Sequence, residues 1–225
     1  MERYSRNIGT LSPEENDKVQ NSKVCVIGCG GLGGYVVEML GRIGVSSITA
    51  VDKDVFELSN LNRQLLSNEI NIGKEKVFIA QERMRIVNSS VQVAPIYGNF
   101  TKENGKEIIS GHDVIVDCLD NVQTRLILQE LSEESSIPFV HGAIGGWYGQ
   151  ATTIFPGDRT LNKIYRNIPM EKSKEKIGTP TFGPPLIASI QVSEVIKILT
   201  GRGELLRKKL LFINVLENEY NVIHL

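Results

Sequence analysis

The sequence has few cysteines, no long apolar run and almost no net charge. Its three cysteines give neither a disulfide framework nor a Cys-x-x-Cys metal-binding pair. No segment approaches the roughly 18 apolar residues of a membrane span, and the first residues lack an apolar signal core. The formal net charge of -1, with basic residues scattered among acidic ones, gives no indication of a nucleic-acid surface. We therefore expect a cytoplasmic protein, with no membrane partner and with nucleic acid disfavoured.

A glycine-rich turn follows the first predicted strand. The apolar residues 24–27 lead directly into Gly28-Cys29-Gly30-Gly31-Leu32-Gly33-Gly34, and the helical spacing of residues 35–43 follows at once. Such a turn directs free backbone amides and the positive end of a helix dipole at a ligand. The second predicted strand ends in Asp52, where dinucleotide-binding folds place a carboxylate for ribose hydroxyls. A tight turn without a ligand is the alternative, but this order of elements favours nucleotide binding by Gly28, Gly30, Gly31 and Gly33.

The remaining pattern predicts an α/β fold with a Rossmann-like mixed sheet and helices on both faces. The N-terminal strands, separated by helices, are expected to be parallel, and the C-terminal strands, which lack crossover helices, antiparallel. We predict a single domain, 1–225, in three parts: an arm and helix, 1–22; a nucleotide-binding half, 23–143; and the remainder, 144–225. The last part contains a charged, aperiodic crossover, predicted to be mobile, at 158–181, then a buried helix at 186–200 and a terminal hairpin.

Several charged residues are predicted to meet at the carboxyl edge of this sheet. They are Asp54, Arg63, Lys76 and Asp120, with Asp120 also able to serve as a helix cap. Asp117, at the end of the same predicted strand, is expected to face the glycine turn if the two strands are neighbours. A nucleotidyl-transfer site must bring a second anion to a phosphorus atom, which favours arginine, lysine and Mg²⁺, whereas a dehydrogenase needs only to hold its pyrophosphate. A carboxylate nucleophile is already ionised at neutral pH, so histidine should be dispensable. We accordingly interpret His141 as structural.

Six motifs, taken together and in order, resemble those of the ThiF/MoeB/HesA adenylyltransferases, relatives of the catalytic domains of ubiquitin-activating enzymes. The resemblance runs from Arg3 to the helix at residues 192–197, nearly the whole chain. The motifs are Arg3-Tyr4-Ser5-Arg6, the glycine turn, Asp52-x-Asp54, Ser59-Asn60-Leu61-Asn62-Arg63-Gln64, Gly73-x-x-Lys76 and Asp117-Cys118-x-Asp120-Asn121.

The resemblance implies an enzyme that uses ATP and Mg²⁺ to adenylate the C-terminal carboxylate of a small ubiquitin-like sulfur-carrier protein ending in Gly-Gly. Asp52 would hold the ribose, Arg63 and Lys76 would neutralise the phosphates, and Asp120 would bind the magnesium. Arg6 matches an arginine that the family contributes across a homodimer. The nucleotide-binding residues implied further are Asp54, Asn60, Asn62, Gln64, Leu119 and Asn121.

The chain departs from the family pattern at its cysteines. Family members often hold a structural zinc with two Cys-x-x-Cys pairs, but Asn162-Lys163-Ile164-Tyr165 stands where the first pair is expected. No zinc site is predicted, because only three cysteines exist and none is suitably placed. Many relatives also use a crossover cysteine to receive the acyl group or sulfur, and residues 177–183 contain none. Adenylation without a covalent cysteine intermediate is therefore expected.

Three alternatives remain open at this stage. The same site could activate another carboxylate, on a modified tRNA base or a peptide, although the near-neutral charge disfavours tRNA. The chain could be a nucleotide-binding scaffold that has lost turnover. A nicotinamide dehydrogenase is disfavoured by the positions of Arg63 and Lys76. The residues do not identify the carrier, the sulfur donor or the pathway.

Overall fold

The computed structural model describes residues 2–166 and 177–225, which form one mixed sheet covered by helices on both faces. The strand order is β3-β2-β1-β4-β5-β6-β7-β8. The strands are β1 Lys23–Ile27, β2 Ser47–Asp52, β3 Gln92–Tyr97, β4 Val114–Asp117, β5 Phe139–Gly145, β6 Tyr148–Ile154, β7 Lys209–Asn214 and β8 Glu219–His224. The helices are α1 Pro13–Gln20, α2 Gly31–Ile43, α3 Lys76–Val87, α4 Lys102–Ile109, α5 Val122–Ser135, α6 Thr160–Ile164 and α7 Gly183–Thr200.

The first five strands in this order are parallel and the rest antiparallel, which confirms the predicted fold class. From β1 the chain moves outward through β2 and β3, then returns to place β4 on the other side of β1. This reversal of strand order is where open α/β sheets bind their ligands. Ile27, the last residue of β1, pairs with Val51 on one side and Asp117 on the other. The carboxyl ends of β1, β2 and β4 therefore meet at one edge.

Two hydrophobic clusters cover the two faces of the sheet. One joins α2, α3 and α7 to the strands, and its fully buried members include Val36, Leu40 and Val195. The other joins α4, α5 and α6, with Leu128, Leu131 and Leu161 buried. Apolar residues at helical spacing on one side of each helix produce this arrangement. The helices fix the strand ends from both sides, which holds the carboxyl edge rigid.

The N-terminal arm is docked on the body of its own chain. The Asn88 side chain donates a hydrogen bond to the Tyr4 hydroxyl (2.8 Å), and Asn7 donates one to the Ile43 carbonyl (3.0 Å). A capping box then starts α1, because Ser12 accepts from the Glu15 amide and Glu15 accepts from the Ser12 amide. The arm therefore sits against the carboxyl-terminal ends of α2 and α3.

The predicted element boundaries needed two notable changes. Residues 158–181 were expected to be aperiodic, but Thr160–Ile164 is a short helix with Leu161 fully buried. Residues 167–176 of that segment lie outside the described part of the chain. The helix predicted at residues 186–200 begins earlier, at Gly183, because Pro184 fits a first helical turn, where its missing amide proton has no role.

No helix in residues 2–166 and 177–225 combines the length and apolar character that crossing a bilayer requires.

Candidate nucleotide-binding site

Two glycines of the turn are needed because backbones approach each other closely there. Gly28 has φ +99°, and a Cβ on it would lie 2.6 Å from the Cys118 carbonyl oxygen at the end of β4. A Cβ on Gly33 would lie 1.7 Å from the Gly28 carbonyl oxygen. Neither position accepts a side chain without displacing backbone. These two glycines therefore shape the turn.

The other side of the turn is open and polar. The N-cap residue of α2 is Gly30, which has no side chain to cap the first turn, and a Cβ there would have the Gln64 amide, 3.6 Å away, as its nearest neighbour among the described residues. The Gln64 side chain is buried, and its Oε1 has no hydrogen-bond partner among the described residues. A buried oxygen without a donor is costly, and a ligand with a hydroxyl or amino group would satisfy it. The free amides of α2 complement a phosphate, so this cradle fits a nucleotide.

Asp52 organises the site from the end of β2. Its Oδ2 accepts from the Cys29 amide in the glycine turn (2.6 Å), and its Oδ1 accepts from the Asp54 amide (2.8 Å). A carboxylate has about four lone-pair positions, so room remains for two ribose hydroxyls. Asp52 thus lies where the sequence predicted it and also holds the turn in shape.

Lys76 begins α3 and reaches this same region. Its ammonium lies 3.3 Å from Asp54 Oδ2, and only 6% of its side chain is exposed, against 53% for Asp54. Lys76 also lies near enough to Cys29 to oppose the rise in that thiol's pKa. A buried ammonium paired with one half-exposed carboxylate has spare donors, which a phosphate could take.

The loop after β2 carries the next predicted residues. The Arg63 guanidinium donates to the Ser59 carbonyl (2.8 Å) and to Asn62 Oδ1 (2.9 Å), so it remains within its own loop. Asn62 also donates to the Thr179 carbonyl (3.1 Å) and so connects this loop to the chain preceding α7. Asn60 is buried and accepts from the Glu57 amide. Asn60 therefore shapes the loop, and no contact within the described residues brings Arg63 to Lys76.

Asp120 lies exposed just beyond β4. Its carboxylate accepts a hydrogen bond from the Asn121 side chain (3.3 Å), while Asn121 caps α5 by accepting from the Thr124 amide (2.8 Å). The helix-cap alternative for Asp120 is therefore wrong, because its neighbour has that role. The backbone of Leu119 lies beside Asp120 and donates to Asp117 Oδ1 (3.0 Å).

Asp120 offers a metal ion one carboxylate. That is enough for Mg²⁺ bound together with ATP, but not for a metal held by protein ligands alone. In residues 2–166 and 177–225, no three His, Cys, Asp or Glu side chains lie together as a metal-binding group. Mg²⁺ usually binds one or two carboxylates together with substrate phosphates and water. The expectation of no zinc site stays a prediction.

Arg6 is far from the glycine turn of its own chain. The arm on either side of it contacts the carboxyl-terminal end of α2, through Asn7 at Ile43 and Tyr4 against Gly44. The turn lies at the other end of this 13-residue helix, a separation of about 20 Å. The fold therefore does not bring Arg6 together with the other predicted residues.

The three cysteines are poor nucleophiles in this environment. Cys25 and Cys29 are buried, and burial raises the pKa of both thiols; it also raises the pKa of Cys118. A thiol attacks as the thiolate, which burial disfavours.

The sequence missed a second polar group behind the site. Asp117 was expected to face the glycine turn, but its carboxylate is fully buried and accepts from His141 Nδ1 (2.6 Å). Arg125 and Tyr165 complete this group. His141 has no exposed surface, as its interpretation as structural requires. The only sequence signal was a charge, Arg125, inside a helix with buried apolar residues.

Similarity to known proteins identifies the family of this chain. The sequence matches the ThiF family over residues 4–225. The chain belongs to the ThiF family. This membership confirms the resemblance given above and, with curated relatives named as adenylyltransferases, the predicted enzyme class.

Two curated relatives illustrate the range of the family. The SAMP-activating enzyme E1 of Haloferax volcanii is 34% identical over 228 residues, which cover 99% of this chain and 84% of the relative. The sulfur carrier protein ThiS adenylyltransferase of Bacillus subtilis is 36% identical over 205 residues, or 88% of this chain and 61% of the relative. The chain spans about half the length of another relative, the adenylyltransferase and sulfurtransferase MOCS3 of Xenopus laevis.

Solved structures share the fold of this ThiF-family chain. The crystal structure of E. coli MccB with ATP superposes with a TM-score of 0.86 at 23% identity, covering 99% of this chain and 70% of MccB. That of MccB with AMPCPP and MccA has a TM-score of 0.87 at 24% identity, covering 99% and 71%. At such identities the likeness supports the fold alone.

Proposed function

We propose that this chain adenylates the C-terminal carboxylate of a small ubiquitin-like sulfur-carrier protein ending in Gly-Gly. A carboxylate oxygen of the carrier attacks the α-phosphorus of ATP, the bond to the bridging oxygen of the β-phosphate breaks, and pyrophosphate leaves with that electron pair. The products are a carrier acyl-adenylate and pyrophosphate. No proton transfer is needed, because the carboxylate is ionised at neutral pH.

The observation that carries this proposal is the buried Lys76 ammonium, held next to the glycine turn by Asp54 alone among the described residues. Two anions must meet in this reaction, so their repulsion has to be offset by fixed positive charge. A hydride-transfer enzyme has no such requirement beyond binding its pyrophosphate. Lys76 therefore supports nucleotidyl transfer over a nicotinamide reaction.

Arg63 and Asp120 supply the remaining parts of the phosphate site in this proposal. Arg63 turns from the Ser59 carbonyl and Asn62, two exposed partners, to the phosphates. Asp120 holds Mg²⁺, which when bound neutralises charge on the phosphate oxygens. Asp52 accepts from the ribose hydroxyls while it retains its bonds to the turn.

Arg6 acts from the neighbouring subunit of a homodimer. Its docking at the far end of α2 leaves it out of reach of the site in its own chain, which supports a role in trans. A site that is complete only in the dimer makes assembly part of the mechanism.

The carrier is the proposed acceptor because relatives are named for such proteins: one acts on the sulfur carrier ThiS and another on SAMP. Burial raises the pKa of all three thiols and so disfavours the thiolate, which supports transfer that ends at the acyl-adenylate. A peptide or tRNA carboxylate is the alternative acceptor.

The direct test is carrier-dependent exchange of labelled pyrophosphate into ATP. We expect exchange with Mg²⁺ and a Gly-Gly carrier, and none with the same carrier lacking its last glycine. After the reaction, denaturing electrophoresis without reducing agent should show no carrier attached to the enzyme through a thioester. Exchange with an unrelated peptide or with tRNA instead would overturn the carrier assignment, and tight ATP binding without exchange for any acceptor would favour a scaffold.

Mixed dimers test Arg6. We expect Arg6→Ala and Arg63→Ala each to be inactive alone, because each removes a cation from every site. After mixing and subunit exchange, half of the dimers are mixed, and each has one intact site, so about a quarter of wild-type exchange should return. No recovery, in dimers shown by mass spectrometry to be mixed, would contradict action in trans.

A further inference from the structure

A closed ring of hydrogen bonds lies behind the turn that carries Asp120. The residues of this ring, which we call the buried ring, are Asp117, Leu119, Arg125, His141 and Tyr165. Asp117 and His141 have no exposed surface, and Arg125 is 8% exposed. The Arg125 guanidinium lies 3.6 Å from the Asp117 carboxylate and balances its charge. Buried charges of this kind are stable only when paired and hydrogen-bonded.

The donors and acceptors of the buried ring follow from simple chemistry. An ionised Asp117 can only accept, so His141 Nδ1 carries the proton of their 2.6 Å bond. Burial lowers the pKa of His141, so its Nε2 is an unprotonated acceptor for the Tyr165 hydroxyl at 3.1 Å. The Tyr165 oxygen in turn accepts from Arg125 Nη1 at 2.8 Å. These bonds assign a donor or acceptor role to each side chain of the buried ring, and Arg125 Nε is left without a hydrogen-bond partner among the described residues.

The backbone of Leu119 closes the buried ring. Its amide donates to Asp117 Oδ1 at 3.0 Å, and its carbonyl accepts from Arg125 Nη2. Both polar groups of this one peptide position are therefore held by buried charged side chains. Asp120 is the next residue, so the position of its Cα follows that of Leu119.

Tyr165 brings a distant part of the chain into the buried ring. It is the C-cap residue of α6, in the connection between β6 and α7. The Gln150 side-chain nitrogen, on β6, also donates to its hydroxyl (3.2 Å) and lies 3.2 Å from His141 Nε2. The later part of the same connection contacts the Arg63 loop through Asn62 and Thr179. The described parts of this connection therefore contact the buried ring through Tyr165 and the Arg63 loop through Thr179.

We propose that Tyr165 and Arg125 are positioning residues, which hold the Leu119–Asp120 backbone in the geometry that binds Mg²⁺ with ATP. This inference rests on the proposed function, in which Asp120 holds the metal. Outer-shell partners that orient a metal ligand commonly change metal affinity about 10- to 100-fold when removed. A role in packing alone would instead reduce stability without a specific effect on the metal.

Tyr165→Phe is the appropriate variant, since it removes one hydroxyl and keeps the ring in place. The matched control is Thr153→Val, which removes a buried hydroxyl bonded to Glu194 on the other side of the sheet. The first readout is hydrogen–deuterium exchange of residues 118–121 in the full chain without nucleotide. We expect exchange there to be about 10-fold faster in Tyr165→Phe and unchanged in Thr153→Val.

The second readout is the factor by which Mg²⁺ tightens ATP binding, measured by calorimetry without an acceptor. We expect this factor to fall about 10-fold in Tyr165→Phe, with metal-free ATP affinity retained. In Arg125→Lys the Mg²⁺ factor should fall further, because a lysine cannot reproduce the forked contacts to Leu119 and Tyr165. Equal effects of Tyr165→Phe and Thr153→Val, or an unchanged Mg²⁺ factor with only lower stability, would overturn the proposal.

These readouts separate the inference from the proposed function. If no carrier supports pyrophosphate exchange, yet wild-type ATP binding depends on Mg²⁺ and Tyr165→Phe weakens that dependence, the carrier assignment fails and the positioning role is supported. If Mg²⁺ does not affect ATP binding by the wild-type chain, the positioning role is overturned directly.

Discussion

Two groups of charged side chains flank the carboxyl end of β4, and they differ in how fully they are satisfied. The open group comprises Lys76, Arg63 and Asp120. Among the described residues Lys76 has one half-exposed carboxylate partner, Arg63 donates only within its own loop, and the Asp120 carboxylate lies exposed. In the buried ring, Asp117 and Arg125 are almost fully enclosed, and neighbours donate to or accept from all their polar atoms except Arg125 Nε, which has no hydrogen-bond partner among the described residues. Charges with spare donors and acceptors can take a ligand, whereas satisfied charges fix the backbone. The open group is therefore suited to binding a ligand, and the buried ring to holding the backbone beneath it.

The largest expected effect comes from removing a charge of the open group. Arg63→Ala should reduce carrier-dependent pyrophosphate exchange about 1000-fold, the order of effect of one preorganised donor at a developing charge. Stability should change little, because Arg63 contacts only its own exposed loop. The measurements are exchange kinetics and thermal unfolding, with Arg85→Ala, an exposed arginine on α3, as the control. Similar activity in the two variants would remove Arg63 from the phosphate site.

Removing the cation of the buried ring should, unlike the change at Arg63, also reduce stability. Arg125→Met leaves the Asp117 carboxylate buried without its cation, which costs about 3 to 5 kcal/mol in the free energy of unfolding. Arg159→Met, which breaks the exposed pair with Glu133, should cost less than about 1 kcal/mol. Urea denaturation measures both.

Equal costs for these two arginine variants would mean that Asp117 finds another partner or takes up a proton. In that case the contrast between the two groups would be one of exposure alone. A large cost confined to Arg125→Met would show that the buried ring depends on its internal charge balance.

The sequence predicted the positions of the glycine turn, Asp52 and Lys76 along the strands and helices far better than it predicted the buried ring. Gly28, Asp52 and Lys76 occur at fixed offsets from strand and helix ends, and local pattern determines where those ends lie. By contrast, His141 and Tyr165 belong to different elements and meet Asp117 only through the order of β4, β5 and α6. Local pattern carries no record of such contacts, which is also why Asp117 was wrongly expected to face the glycine turn.

The short helix α6 was missed for a related reason. Its five residues are too few to show helical periodicity, and an isolated helix of this length would not form in water. Burial of Leu161 against the α5 side of the sheet stabilises it, and that contact arises only in the folded chain.

The smallest expected effect is the pH dependence of stability that arises from His141, which shows whether its imidazole is neutral in the folded chain. Burial lowers the pKa of His141 from its ordinary value of 6.5, although Asp117 opposes this change. As the pH falls through 6.5, the unfolded chain therefore takes up a proton at this residue before the folded chain does. The free energy of unfolding should then fall as the pH decreases, by at most about 1.4 kcal/mol per pH unit from this residue.

Comparison with His141→Gln isolates this contribution from the other titrating groups. Glutamine does not titrate, so the stability advantage of the wild type over His141→Gln should shrink between pH 7.5 and about pH 5.5. Urea denaturation at several pH values gives this difference directly. An advantage that grows in acid would instead indicate an imidazolium paired with Asp117. Tyr165 could then no longer donate to Nε2, and the direction of hydrogen bonds around the buried ring would have to be reversed.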